Sequence, residues 1–430
     1  MTDYIVAIDL GTSHLAGIVG EKHADGKFSI LAYATEDPSS SIRRGNIYNL
    51  DDTASRIKNL VHKLESKLKD AKIKKVYIGV GGQSLRTTEH SESKKIDTGA
   101  VVTADDVNEL KKQCEVYIPD LLDVLDWAPP IFYLDGRREL KPEGVSCERL
   151  EARYKLIVGR PSIRRDIVNS ITEKAKQDIA AIIVSPLSLA DAILGKEDKE
   201  LGCAVVDFGA GVTTVVVYKN GELLNLSVIP LGSNLITKDI TMLQITEAEA
   251  EKLKKENGSA IVRKEDDDEK IKLDRDGLTK EIAINDLNAI IEARTIEITE
   301  NVIARIKDVT EIKSLGNGII LAGCASKLKN LPALIKDKYK VNVRFSAIRK
   351  RLLKDDDNLT GNQLYMTAIS IMLKGTEQCM ETPSDSPPLS EDDFMSSKSA
   401  TPQKKEKKKK KKKEEKGWVD KMKNIFEGEQ

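Results

Sequence analysis

Two short stretches carry the residue types that handle phosphate. Asp9, Gly11, Thr12 and Ser13 close one apolar run, Tyr4 to Leu10, and Asp207, Gly209, Gly211, Val212 and Thr213 close another that starts at Cys203. Glycine in a tight turn between strands lets backbone N–H groups approach an anion with no Cβ in the way. The hydroxyls of Thr12, Ser13, Thr213 and Thr214 add donors at the same tips. Asp9 and Asp207, at the strand ends, are suited to hold Mg2+ through its water shell. Two such turns facing each other would grip a polyphosphate from both sides. Taken singly, Asp-x-Gly is also ordinary hairpin chemistry.

The turns sit in matching surroundings. From Ile5 and again from Cys203, an apolar strand ends in Asp-x-Gly, a second apolar strand follows, then a Gly-containing turn (Asp25-Gly26, Asn220-Gly221) and a third strand. Two β-meanders about 200 residues apart predict a duplicated domain with a cleft between the copies. Further strands are predicted at Lys75 to Val80, Ile179 to Val184 and Gly318 to Ala322, and helices at 51–69, 161–176, 285–309 and 361–374, an α/β alternation. No G-x-x-x-x-G-K-[ST] occurs, and no G-x-G-x-x-G follows a strand, so other phosphate-binding designs are excluded.

The chain has 430 residues, enough for two or three domains, with 40% hydrophobic and 32% charged residues. Its five cysteines form no C-x-x-C and there are four histidines, which argues against structural zinc or a disulfide framework and fits a reducing cytoplasm. No basic segment followed by an apolar run opens the chain, and no apolar stretch is long enough to span a bilayer. The zero net charge conceals a division: Lys404 to Lys416 carries +7, leaving −7 for the rest. Residues 376–416, with four prolines and seven consecutive lysines, are expected to be a disordered tether.

On these residues the chain resembles a known superfamily. The Asp9 turn is similar to the first phosphate loop of the actin, sugar kinase and heat-shock chaperone ATPases, the Asp207 turn to their second, and Ile319 to Leu331 to their adenosine motif. Within that group the resemblance is to the bacterial cell-division protein FtsA, and it extends along nearly the whole chain. It implies an actin-like, ribonuclease H-like fold of two lobes: subdomain 1A at 1–82 and 160–200 with 361–375, an inserted subdomain 1C at 83–159, 2A at 201–233 and 316–360, and 2B at 234–315 with a charged loop from Arg263 to Asp276.

The same resemblance implies ATP and Mg2+ as ligands. Gly11, Thr12 and Ser13 would meet the phosphates from one side and Gly209, Gly211, Val212 and Thr213 from the other; Gly232 flanks the second turn, Glu251 and Lys254 would reach ribose and base, and Gly323 would support the adenosine. Without the resemblance, Glu251 and Lys254 read as an exposed (i, i+3) ion pair. The chain departs from the family pattern at His14, where a lysine is usual, and at Cys324, Ser233 and Ser370, where glycines are usual. No residue is assigned as general base.

From Gly417 a helical projection places Trp418, Val419, Met422, Ile425 and Phe426 on one side and charged residues on the other. Residues 417–430 read as an amphipathic helix for the anionic inner face of the cytoplasmic membrane, reinforced by the lysine block. Docking onto a protein groove is the competing reading. The lysine block contains no aromatic residue for base stacking, which argues against nucleic acid. The function implied is an adaptor at the division septum that self-associates into filaments, binds the C-terminal peptide of FtsZ through 2B, with Arg294 as a basic contact, and meets other division proteins through 1C. The alternatives are a pilus-type actin-like assembly ATPase and a soluble sugar or metabolite kinase. Flotation of a 401–430 peptide on liposomes is expected to require anionic lipid and to fail with Trp418→Glu plus Phe426→Glu; binding indifferent to salt would point to the protein groove.

Overall fold

A computed structural model describes residues 3–381 of the chain, apart from 69–70, 264–268, 276–277 and 355–356. Strand Asp3–Leu10 is fully buried from Ile5 to Ile8, as an interior strand covered on both faces must be. It lies at the centre of a five-stranded sheet in the order Asp178–Val184, Lys75–Val80, Asp3–Leu10, Leu15–Lys22, Phe28–Glu36. The first three of these run parallel and the meander runs antiparallel. Helix Leu50–Glu65 starts where the Asn49 side chain accepts from the N–H groups of Asp51 and Asp52, and it buries Ile57, Leu60 and Leu64. Gly17 permits its approach, since a Cβ there would lie 2.9 Å from Leu64 Cδ1. Helix Met366–Met372 packs on the first strand and on helix Ser185–Ile193. There Ser370 Oγ lies 3.0 Å from Ser188 Oγ, a buried partner for its hydroxyl.

The second lobe repeats the plan. Strands Cys203–Phe208, Thr213–Lys219 and Glu222–Ile229 form the antiparallel meander, and Ile319–Ala322 joins Cys203–Phe208 in parallel, as Lys75–Val80 joins Asp3–Leu10. A separate apolar core fills it, closed by the helices Ser233–Ile240, Glu247–Glu256 and Ile284–Lys307. The charged loop expected from Arg263 to Asp276 is in part a strand: Lys270–Arg275 pairs with Leu278–Ala283. Its alternation explains this, because Ile271 and Leu273 pack on the core while Lys270, Lys272 and Asp274 stay outside.

Between the two halves of the first lobe the chain builds strands Arg86–Lys95, Asp123–Trp127, Ile131–Leu134, Arg137–Glu139 and Arg149–Gly159 around helix Ala104–Val116, with their own small core. A reciprocal capping box between Thr103 and Asp106 starts that helix. The insert's sheet is continuous with that of the second lobe through one residue pair, Ser227 with Arg86. Thr87 Oγ1 donates to Asn225 Oδ1 (3.0 Å) beside it, and Arg138 pairs with Glu222 further along.

Residues 376–381, expected within the tether, are fastened to the first lobe. Thr376 and Glu377 donate their N–H groups to Tyr77 Oη (2.9 and 2.8 Å), Cys379 N donates to Tyr4 O (2.8 Å), and Lys74 N donates to Cys379 O (2.9 Å). Cys379 and Met380 are apolar enough to bury, which the proline-rich sequence after them obscured. The rest of the expected tether, 382–416, and the helix expected at 417–430 lie outside the described residues. Tyr77 is 1% exposed and its hydroxyl accepts both N–H groups, so Tyr77→Phe is expected to cost about 1–3 kcal/mol in urea unfolding. Faster amide exchange at Thr376 and Glu377 should accompany the loss.

Candidate nucleotide site

Each meander ends in a four-residue tip of the same construction. Gly11 to His14 is closed by the pair Leu10 with Leu15, and Gly209 to Val212 by Phe208 with Thr213. A Cβ on Gly11 would lie 2.5 Å from His14 O, and one on Gly209 would lie 2.8 Å from Val212 O. The first position of each tip is glycine because the carbonyl three residues on occupies the side-chain space.

The two tips meet. A Cβ on Gly211 would lie 2.7 Å from Thr12 Oγ1 and 3.1 Å from Arg44 Cα. Thr12 Oγ1 in turn accepts from Gly45 N at 3.0 Å. The second tip is tied to the helix behind it, where Ser233 N donates to Gly209 O (3.0 Å) and Asn234 N to Ala210 O (2.9 Å). Gly232, the N-cap of that helix, must be small, since its Cβ would fall 2.3 Å from Ala210 O.

Asp9 and Asp207 share this region. Desolvation, with repulsion from Asp207, pushes the Asp9 carboxyl up to about 7, against a weaker pull from the Ser185 hydroxyl; desolvation pushes Asp207 up to about 6. Gly323, at φ +81°, allows the adenosine-type turn to press on Asp207, for a Cβ there would lie 2.3 Å from Asp207 Oδ1. Burial raises the Cys324 pKa, and the nearby charges of Asp207 and Asp9 add to that. Among the described residues no group of three or more His, Cys, Asp or Glu side chains could cage a metal. Two poorly solvated carboxylates instead fit a cation that keeps most of its water, as Mg2+ does.

The side chains expected to touch nucleotide divide into three groups. Gly11, Thr12, Gly209, Gly211, Val212 and Gly323 stand at the meeting of the turns. Ser13 and His14 pair with each other, Ser13 Oγ to His14 Nδ1 at 2.9 Å, while His14 Nε2 reaches Leu364 O at 3.3 Å. Desolvation lowers the His14 pKa, and the carbonyl partner requires the proton on Nε2, so the ring is neutral and Nδ1 accepts from Ser13. The hydroxyl of Thr213 is turned inward: Thr213 is 0% exposed and Oγ1 donates to Leu231 O (2.8 Å).

Glu251 and Lys254 do form an ion pair (2.6 Å), but not on an exposed face. Lys254 is buried, which lowers its pKa, and its three N–H donors go to Glu251, Thr237 Oγ1 (2.7 Å) and Ser233 O (3.2 Å). It fastens helix Glu247–Glu256 to the helix behind the second tip. Desolvation works to raise the Glu251 pKa, but the bonds from Lys254 and Thr237 outweigh it and hold it low. Arg294, on helix Ile284–Lys307, is already engaged: Nε and Nη2 donate to Asp239 (2.5 and 3.1 Å), and Nη1 donates to Glu297.

Sequence reasoning missed Gly45, Gly79 and Ser185. A Cβ on Gly79 would lie 2.4 Å from Ser185 Oγ and 3.3 Å from Asp9 Oδ1. Ser185 Oγ is itself buried, and it is the hydroxyl that pulls on the Asp9 carboxyl. The signals were a glycine near the end of a parallel strand and a Ser-Pro at a strand-to-helix junction.

This arrangement, two duplicated meanders whose tips meet beside paired carboxylates, is an actin-like fold. Solved structures agree: the PilM-PilN type IV pilus biogenesis complex matches with TM-score 0.61 at 16% identity, covering 87% of this chain and 98% of that one. The ethanolamine utilization protein EutJ from Carboxydothermus hydrogenoformans matches with TM-score 0.50 at 14% identity, covering 86% and 90%. Family models identify "Cell division protein FtsA" over residues 204–370 and "SHS2 domain inserted in FTSA" over 82–158. The chain is 32% identical to the cell division protein FtsA of Porphyromonas gingivalis over 385 residues, 89% of this chain and 80% of that one. It is 30% identical to that of Bacillus subtilis over 375 residues, 84% and 83% of the two chains. The chain therefore belongs to the FtsA family of cell-division proteins.

The raised carboxyls make a pH prediction. The folded chain retains protons that the unfolded chain releases near the ordinary 3.8, so the nucleotide-free fold loses stability as pH rises from there to about 7. Asp9→Asn removes that loss. At about pH 8 its unfolding free energy should exceed the wild type by about 1–3 kcal/mol, and near pH 4 the two should coincide. A variant weaker at both values would contradict the assignment.

Proposed function

We propose that this chain binds ATP with Mg2+ between its two turns and acts as a filament-forming division adaptor that holds FtsZ at the inner membrane surface. The observation that carries the nucleotide part is the contact of Thr12 with Gly211, beside the desolvated pair Asp9 and Asp207. Backbone N–H groups of Gly11 to Ser13 and of Gly209 to Val212 would take the phosphates, and Asp9 and Asp207 would hold the hydrated cation. The cation supplies positive charge that both carboxylates lack. The His14 ring, neutral and held by Leu364, supplies a neutral hydrogen-bonding group where a lysine would bring charge. Gly323 leaves room for the adenosine.

The membrane part rests on the sequence of 417–430 and its lysine block, and on family membership. No helix among the described residues is long and apolar enough to cross a membrane. For the FtsZ peptide we favour the surface around helix Ile284–Lys307, where Arg294 is held by Asp239; an acidic peptide there would compete with Asp239 and Glu297 for the guanidinium. The insert would serve contacts with further division proteins. Calorimetry with Mg-ATP is expected to give binding that Asp207→Ala or Gly209→Asp abolishes, with unchanged circular dichroism. Wild-type affinity in either variant would sink the site.

A further inference from the structure

A cavity of about 500 Å³ touches Leu10 and Gly79 but none of the residues Gly209 to Val212 or Gly323. Three parts of the chain line it: the loop Arg43 to Tyr48, the glycine run Gly79 to Gly81 with Gln83, and Arg160 with the short helix after it. The last two are the roots of the insert, which departs beyond Gly82 and returns through Gly159. The loop itself reaches the first tip, through Gly45 N on Thr12 Oγ1.

Three guanidinium groups stand on this lining, and among the described residues none is paired with a carboxylate. Arg43 stacks over the Tyr48 ring at 3.6 Å, Arg44 reaches Gln83 Oε1 at 3.4 Å, and the Arg160 side chain makes no hydrogen bond among the described residues. By contrast Arg164, four residues on, is bound to Asp123. The lining carries one carboxylate among the described residues, Asp166, and Arg165 holds it at 3.3 Å. Arg44 also occupies a turn position at φ +50°, where asparagine or glycine would sit with less strain.

We propose that this cavity is a second oxyanion site, that it takes inorganic phosphate, and that its occupant ties both roots of the insert to the loop held on the first tip. Guanidinium forks match the oxygen pairs of a tetrahedral anion, and three of them supply the positive charge the anion needs. The site stands independently of the nucleotide reading, because the second tip and the adenosine turn do not line it.

Titration of the nucleotide-free full chain with inorganic phosphate near neutral pH is expected to show saturable binding, reduced about tenfold by Arg160→Ala. Arg44→Gly deletes a guanidinium while relaxing the turn, so it should weaken phosphate binding to a similar degree without lowering the melting temperature. Hydrogen exchange should slow at residues 79–84 and 159–162 when phosphate is added. Absence of binding, or binding unchanged in both arginine variants, overturns the site. So does loss of binding with excess ATP or Asp207→Ala while the arginine variants are silent, which would assign the phosphate to the two turns.

Discussion

Everything in this fold is arranged around two carboxylates brought together where water is scarce. Asp9 and Asp207 end equivalent strands of two copies of one meander, and the copies approach until the tip of one rests on the tip of the other. Desolvation raises the pKa of both, and at Asp9 repulsion from Asp207 adds to it. The approach is possible because glycine stands at each crowded crossing, Gly211 against Thr12 and Gly323 against Asp207. A methyl group at either would drive the elements apart.

Much of this was legible because it is written locally. Strand Lys75–Val80 has the bounds its apolar run gives it, and helix Ile284–Lys307 starts one residue before and ends two before its periodic stretch. The two Asp-x-Gly turns announce themselves by type and flank. What escaped is non-local. Gly79 and Ser185 reach Asp9 only because strands far apart in sequence run in parallel, and neither carries a distinctive neighbour pattern. Lys254 looked like a surface lysine because the groups that bury it, Ser233 and Thr237, lie on a different helix. Residues 376–381 looked like tether because the prolines after them outweigh two apolar side chains in any composition window.

The departures from family pattern find local physical accounts. His14 gives up charge and gains a fixed neutral tautomer between Ser13 and Leu364. Ser370 puts a hydroxyl where a hydrogen would do and satisfies it against Ser188 and the Thr367 carbonyl, 2.7 Å away. Ser233 keeps the backbone donor to Gly209 that any residue would offer there, so the exchange leaves the second tip anchored. At Cys324, an exposed residue, desolvation of the thiol and then the charges of Asp207 and Asp9 disfavour the thiolate.

The insert is rooted in one lobe, yet its sheet joins the other lobe through the single pair Arg86 and Ser227. A ladder that narrows to one rung cannot share load. Any sliding of one lobe along the other must first stretch that rung and its two polar neighbours, Thr87 with Asn225 and Arg138 with Glu222. The junction works as a strain gauge: it converts a small change in cleft width into the making or breaking of a few bonds at the base of a protruding module.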